Sequence, residues 1–266
     1  MPAEACYRLN TAVWTLDYSA ATQLQQPGEP YPGWCPCYLL EHPEGLVLFD
    51  TGVSQEMATD PESYGPQGAP HMADFVDTLD LSAGKPPVEH LADLGYEPED
   101  VDVIVCSHLH TDHAGNLDAF PEATVIVQKE ELRYAFYPDG PQRLFYLEGD
   151  FHHLRRLDVD VRAITGEYDV FGDGSIVAFP TPGHTPGHQS LAVTLESGTT
   201  ILAADAANSR VGYETDLVAS FAWSLEASID SIRTIEERAR RTEADVIIHH
   251  DPEDQGRLPD PPAALE

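Results

Sequence analysis

SHLHTDHAGN, residues 107–116, packs three histidines and an aspartate into six positions. It follows directly on Val101-Asp-Val-Ile-Val-Cys106, an apolar run of β-formers that reads as a buried strand, so Ser107-His108 falls where that strand must end. In layered α/β folds, metal and catalytic groups sit beyond strand ends, on loops braced by the sheet. His108 and His110 are two apart and share a side in extended backbone, while Asp112 and His113 stand on the turn into Ala114-Gly115. A single loop histidine usually binds nothing. Four ligand-type residues in His-x-His-x-Asp-His at one strand end read as a metal site.

The same pattern recurs downstream. Thr181-Pro-Gly-His-Thr-Pro-Gly-His188 follows the apolar run Ser175–Phe179, and its prolines and glycines fix a tight turn that lets backbone approach a ligand. His184, nearest the strand end, is the candidate there, and His188, which begins the next strand, reads as structural. Thr200-Ile-Leu-Ala-Ala-Asp205 delivers a lone carboxylate at the end of an apolar strand, which is costly unless a cation or a hydrogen-bond partner compensates it. Asp245-Val-Ile-Ile-His-His-Asp-Pro252 repeats the theme. Four strands therefore end in His or Asp, at 108, 184, 205 and 250, with His249 beside the last. Nitrogen and carboxylate ligands without thiolate suit zinc, and iron, manganese and cobalt use the same ligand classes. Seven ligands are too many for one tetrahedral ion with an open position. They suit two ions bridged by a carboxylate.

Outside the motifs, the chain alternates strands with helices. Leu46–Phe49, Val101–Cys106, Ala123–Val127, Ser175–Phe179, Ser190–Leu195, Thr200–Ala204 and Asp245–Ile248 read as short strands apolar on both faces. Pro87–Leu94, Lys129–Phe136 and Ser224–Arg241 read as helices, the last with Ile229, Ile232 and Ile235 on one face and Ser224 as N-cap. Strands covered by helices on both sides predict a layered α/β fold. At 266 residues with no linker, the chain reads as one domain, 1–266. Residues 53–87, rich in Gly, Pro and Ser with Tyr64, Met72 and Phe75, are too long for a passive connection and read as a lid. In Tyr134–Tyr146 five aromatic rings surround Pro138-Asp139-Gly140; most are expected in the core, with a pocket wall or a homodimer contact as the alternatives.

Composition narrows the function. Forty-six acidic residues oppose 14 basic ones, of which only Lys85 and Lys129 are lysines, for a formal charge of −32. Such a field repels phosphate and excludes nucleic acid as an easy partner. The acids are spread through patterned, aromatic-containing segments, which argues against disorder and for adaptation to high salt, where screening removes the self-repulsion. Apolar runs are too short to cross a membrane, and MPAEACYRLN has neither a basic start nor an apolar h-region. With Cys6, Cys35, Cys37 and Cys106 at no framework spacing, a cytoplasmic setting is expected and Cys35-Pro-Cys37 reads as a buried structural pair.

The motif resembles that of the metallo-β-lactamase superfamily, whose His-x-His-x-Asp-His is matched by His108, His110, Asp112 and His113. The resemblance is strongest to the N-acyl-homoserine lactonases. It runs through Trp34-Cys-Pro-Cys-Tyr-Leu-Leu40, Leu46-Val-Leu-Phe-Asp-Thr-Gly52, Gly95–Asp100, SHLHTDHAGN, Thr181–Leu191 and His250-Asp251. It implies a four-layer αβ/βα sandwich carrying two zinc ions, one held by His108, His110 and His184 and the other by Asp112, His113 and His250, with Asp205 bridging. The family places a ligand directly before aspartate, which selects His250 over His249. A metal-bound hydroxide would attack a lactone carbonyl, and Asp112 would pass the proton to the leaving ring oxygen. Related lactonases commonly carry a tyrosine three residues past the bridge that assists the substrate carbonyl. This chain has Asn208 there, able to donate a hydrogen bond but not to act as an acid, and Tyr213 is a candidate substitute. Residues 12–16 and the lid are expected to wall the acyl chain. A glyoxalase-II-like thioesterase or another carboxylic ester hydrolase is the alternative. The thioesterase is disfavoured by the scarcity of basic residues, a β-lactamase by the Asp205 bridge and the lack of an export signal, and a phosphodiesterase by the charge. From another class, the intact ligand set argues against a metal-holding module without turnover.

Overall fold

The short strands are apolar on both faces because each is sandwiched between a helix layer and a second sheet. The computed structural model describes residues 1–60, 64 and 75–266, apart from the side chain of Pro141. Met72 and much of the expected lid lie outside the described residues. One sheet contains β1 (Ala5–Asp17), β2 (Pro30–His42), β3 (Gly45–Phe49), β4 (Leu79–Asp80), β5 (Val101–Val105), β6 (Thr124–Gln128) and β7 (Val161–Ile164), in the order β4-β1-β2-β3-β5-β6-β7. It is antiparallel from β4 to β3 and parallel from β3 to β7. The second holds β8 (Tyr168–Asp169), β9 (Ile176–Pro180), β10 (Gln189–Leu195), β11 (Gly198–Leu202) and β12 (Asp245–Ile247), in the order β12-β11-β10-β9-β8.

Residue alternation assigns the layers. Tyr38, Leu40, Val47, Phe49, Val105 and Ile126 of the first sheet interdigitate with Ile176, Ala178, Leu191, Val193, Leu202 and Ile247 of the second. The alternate residues Leu39, Leu48, Ile104 and Val125 face outward onto Leu91 of the helix Pro87–Leu94 and onto Leu117, Phe120 and Phe151. On the far side Ala192, Ile201 and Val246 pack against Ile232 and Ile235 of the helix Leu225–Thr242, capped by Ser224 as expected. Helix, sheet, sheet, helix is the four-layer sandwich the resemblance implied.

Two differences have physical causes. Thr200–Ala204 stops short as a strand because Ala204 takes a left-handed φ of 48°, turning the chain so that Asp205 leaves the sheet. The thirteen-residue strands β1 and β2 give no clean alternating signal, since Pro30, Pro32 and Pro36 interrupt β2. They are tolerated because β3 pairs β2 only from Tyr38 onward, leaving the proline-rich half without a neighbour on that side. None of the described helices is long and apolar enough to cross a membrane.

Candidate metal centre

The strand ends of both sheets meet at one edge. His108 stands three residues past β5, and His110 N-caps the short helix Thr111–Ala114 that carries Asp112 and His113. His184 follows β9, Asp205 follows β11 and His250 follows β12. His110 Nδ1 lies 3.0 Å from His184 Nε2, and His108 completes a trio with them whose ligand atoms all lie within 4.8 Å of one another. His113 Nε2 lies 3.3 Å from His250 Nε2, and Asp112 Oδ2 lies 3.9 and 3.8 Å from those two nitrogens. Asp205 stands between the trios: Oδ1 is 3.0 Å from both His113 Nε2 and His250 Nε2, and Oδ2 is 3.4 Å from His184 Nε2. All seven residues singled out from the sequence are thus brought together.

The outer nitrogens show what the inner ones are for. His110 Nε2 donates to Gln142 Oε1 (3.0 Å), His113 Nδ1 to Asp50 Oδ2 (2.9 Å) and His250 Nδ1 to the Trp34 carbonyl, while His108 Nδ1 is 2.9 Å from Ser107 Oγ. Each ring is thereby fixed with its other nitrogen inward, the arrangement by which proteins orient metal-binding histidines. His108 Nε2 is buried with no hydrogen-bond partner, a state that a cation relieves. Burial holds His108 well below the usual histidine range and pushes His110 and His184 down to about 3, so these rings are neutral and ready to ligate. Burial also opposes charge on His113 and His250, but Asp205 and Asp112 raise both above the ordinary value. Asp205 in turn is penalised by burial yet held well below the carboxylate range by His250, His113 and His184. Concentrated positive charge is what this cluster of carboxylates and imidazoles accommodates, and its donors fit a dinuclear metal site.

His188 is structural: its Nε2 accepts from the Asp205 backbone N–H (3.0 Å) and its Nδ1 is 2.9 Å from the Thr181 carbonyl. His249 packs with its ring centroid 4.6 Å from that of His113, and it is His250 whose Nε2 stands 3.0 Å from Asp205 Oδ1. The Cys35 sulfur lies within 4.8 Å of the ligand atoms of Asp112 and His250. Burial, with Asp112 and Asp205, pushes that thiol well above its ordinary pKa, and Cys35 and Cys37 are both free. Asn208 stands beside Asp205, its Nδ2 donating to Asp205 Oδ2 at 2.9 Å. Tyr213 is elsewhere, in the cluster under the helix Leu225–Thr242 with Arg210 over its ring.

A cavity of about 60 Å³ opens onto His110, Asp112, His184, Asp205 and His250 and is walled by Trp14, Leu16, Phe75, Phe145 and Phe221. Trp14 and Leu16 belong to the expected wall, Phe75 to the expected lid and Phe145 to the aromatic segment, of which Tyr146 is core, Tyr134 and Phe136 pack partly buried against it and Tyr137 is exposed.

The matched family settles the lineage of this arrangement. Residues 31–242 match the model of the Metallo-beta-lactamase superfamily. The chain belongs to that superfamily. Among its superfamily relatives it is 35% identical over 238 residues to the N-acyl homoserine lactonase AttM of Rhizobium radiobacter, covering 86% of each chain. It is 31% identical over 263 residues to the N-acyl homoserine lactonase AiiA of Bacillus thuringiensis subsp. kurstaki, covering 96% of each. Among solved structures, a quorum-quenching N-acyl homoserine lactone lactonase superposes with a TM-score of 0.82 at 27% identity over 100% of this chain and 99% of that one. An N-acyl homoserine lactone hydrolase with N-hexanoyl-L-homoserine at its catalytic metal center gives 0.82 at 25% identity over the whole of both chains.

Three supports of this superfamily site escape the motif reading. Asp50, directly after β3 with a left-handed φ of 61°, accepts from Ser107 N (2.6 Å), Ser107 Oγ (2.8 Å) and His113 Nδ1. An acid ending the apolar run Leu46–Phe49 is the same signal that singles out Asp205. Glu131, fully buried, accepts from Leu109 N (2.9 Å), Tyr146 Oη (2.7 Å), Thr185 Oγ1 (2.7 Å) and Gly187 N (3.2 Å), tying the His108–His113 loop to the His184 turn. Gln142 links His110 to the carbonyls of His184 (3.3 Å) and Phe221 (2.7 Å).

The His184 turn is clamped from its other side by the helix Leu225–Thr242. Gly183 has φ 143°, and a Cβ there would lie 2.3 Å from Ser228 N. Gly183→Ala is therefore expected to lower stability by about 2–4 kcal/mol and to displace His184. Thermal melting with metal content per chain checks this, and an unshifted melt would show that the turn yields.

Proposed function

We propose that this chain is a dinuclear metal hydrolase that opens the lactone ring of N-acyl homoserine lactones. The observation that carries the reading is the placement of a seven-residue His/Asp centre at the floor of an apolar, aromatic-walled cavity whose described lining holds no lysine or arginine. Such walls suit an acyl chain, whereas glutathione thioesters and phosphodiesters call for cationic partners. The lactonase relatives, matched over most of the chain, support the same substrate class.

In this proposal His108, His110 and His184 hold one ion, Asp112, His113 and His250 the other, and Asp205 bridges. Zinc is our choice of metal for these nitrogen and oxygen donors. When bound, the two cations supply a water whose pKa falls from about 16 toward about 7 and a Lewis acid for the lactone carbonyl. Asp112, the partly exposed member of the set, faces the cavity and carries the proton to the leaving ring oxygen, giving an N-acyl homoserine. Trp14, Phe145 and Phe221 exclude water and hold the acyl chain. The lid role rests on Phe75 in the cavity wall; the ends of the expected lid belong to the fold instead, since Val53 and Met57 are buried in the core and Leu79–Asp80 is β4 of the first sheet, and we take 1–266 as one domain.

The test is metal analysis of the purified protein with hydrolysis of N-hexanoyl-L-homoserine lactone, S-lactoylglutathione and bis(p-nitrophenyl) phosphate in molar salt. We expect two ions per chain and a lactone preference of about 100-fold. A preference for the thioester would replace this reading with the glyoxalase-like one.

We further propose that the charge of −32 is an adaptation to salt. Lowering ionic strength from about 1 M to about 0.01 M lengthens the screening distance from about 3 to about 30 Å and exposes the self-repulsion. Tm and activity are both expected to rise over that range of added salt. Equal melts at both ends would refute the idea.

A further inference from the structure

Cys35 stands apart from the other cysteines of the chain. Cys37 and Cys106 pack in the core outside the first sheet and Cys6 in the core between the sheets, and the Cys37 thiol donates to the Leu9 carbonyl at 3.6 Å. Cys35 Sγ instead forms a group with ligand atoms of Asp112 and His250, all three lying within 4.8 Å of one another. Atoms bonded to one zinc at about 2.0–2.3 Å stand roughly 3–4 Å apart, so the trio is spaced close to what a single ion needs. Neighbouring backbone keeps the sulfur there. The Trp34 carbonyl accepts from His250 Nδ1, the Trp34 N–H donates to the His250 carbonyl at 3.3 Å, and the Cys35 carbonyl accepts from Thr11 Oγ1 at 2.7 Å. Residue 35 is thereby registered against His250 on one side and against β1 on the other.

A second observation marks the adjoining space as a cation's. Asp205 Oδ1 is buried and makes no hydrogen bond, although it stands 3.0 Å from both His113 Nε2 and His250 Nε2. Buried polar atoms that crowd together without pairing are arranged for a shared positive charge. His250 belongs to this crowd and to the Cys35 trio alike.

We propose that Cys35 is a further ligand of the second ion, joining Asp112, His113 and His250, and that its sulfur makes this position select zinc over manganese. This rests on the dinuclear reading and deepens it. Thiolate is a soft ligand that favours zinc, whereas carboxylate and water suit manganese. Without a cation the thiol is protonated, since burial with Asp112 and Asp205 holds it well above its ordinary range. On ligation the S–H bond breaks as the sulfur–metal bond forms, and the proton leaves to solvent, so neither oxidant nor reductant is needed. The Cys35-Pro36-Cys37 pair therefore divides: Cys37 packs and Cys35 binds.

The probe is cobalt(II), which takes zinc positions and gives an intense near-ultraviolet charge-transfer band when a thiolate binds it. Protein is purified under nitrogen from cells grown with added cobalt, and the bound ions are counted by elemental analysis. Wild type holding two cobalt ions is expected to show the band, Cys37→Ala to keep it and Cys35→Ala to lose it. Chelator competition then reads the second ion: Cys35→Ala is expected to weaken zinc there by at least about 10-fold and manganese by less than about 3-fold. Two bound cobalt ions without the band in wild type would overturn the inference before any variant is made, as would a band that survives in Cys35→Ala. The dinuclear reading stands in both cases. Wild type that binds fewer than two ions would overturn that reading and this inference with it.

Discussion

Asp205→Ala is expected to abolish lactone turnover by at least about 10³-fold and to lower metal content from two ions per chain to less than one. The carboxylate meets three histidines, with Oδ1 at 3.0 Å from His113 Nε2 and His250 Nε2 and Oδ2 at 3.4 Å from His184 Nε2. Removing it takes a shared ligand from both proposed ions and the negative charge that lets two cations sit side by side. The backbone should hold its place, because the Asp205 N–H is anchored to His188 Nε2 by a hydrogen bond that does not involve the carboxylate. The variant therefore tests the bridge rather than the fold. Elemental analysis and single-substrate kinetics in molar salt read the result. A variant retaining two ions and turnover within about tenfold of wild type would remove Asp205 from the proposed centre.

The second large effect lies one layer out. Glu131→Ala is expected to cost on the order of 3–5 kcal/mol of stability and to lower Tm by roughly 10 °C. The loss comes from four buried donors that share this one carboxylate: the backbone N–H groups of Leu109 and Gly187 and the hydroxyls of Tyr146 and Thr185. Water cannot replace the carboxylate easily, since the site is fully buried and Gly187 is so close that a Cβ on it would lie 2.1 Å from Glu131 N. Burial raises the pKa of Glu131, and its four hydrogen bonds act against that shift. Glu131→Gln, which keeps one acceptor but turns an amide nitrogen toward donors, should fall between wild type and alanine. Thermal melting of the three proteins tests the order. Alanine and wild type melting together would show that the His108–His113 loop and the His184 turn hold their positions without it.

The candidate ligands were legible because their signal is local. His108, His110, Asp112 and His113 are crowded in one turn, and Asp205 is a charge at the end of an apolar strand. Asp50 carried that same signal after Leu46–Phe49. Glu131 carried none, since an acid in the first turn of a helix is commonly satisfied by the helix dipole, and nothing in Lys129–Ala135 says that this one faces Thr185 and Gly187. Gln142 was hidden among the aromatic residues of 134–146 for the same reason.

What the sequence determined by itself was the period and punctuation of the chain: strands apolar on both faces, helices with caps, and ligand-type residues at strand ends. These are properties of each segment against water and a generic core, and they suffice for the layered fold and for ligand-type residues at its strand ends, while the choice of His250 over His249 came from the family resemblance. Tertiary structure alone decided which groups meet. It set Asp205 between the two histidine groups, with His250 against it and His249 packed on His113. It also turned the Asn208 amide so that nitrogen meets Asp205 and oxygen is left without a donor. Hydrogen bonds and charge interactions act over about 3–4 Å between residues far apart in the chain, as in His113 with Asp50, 63 positions away, and with His250, 137 positions away. Periodicity reports the face on which a side chain lies, and only packing reports what lies across from it.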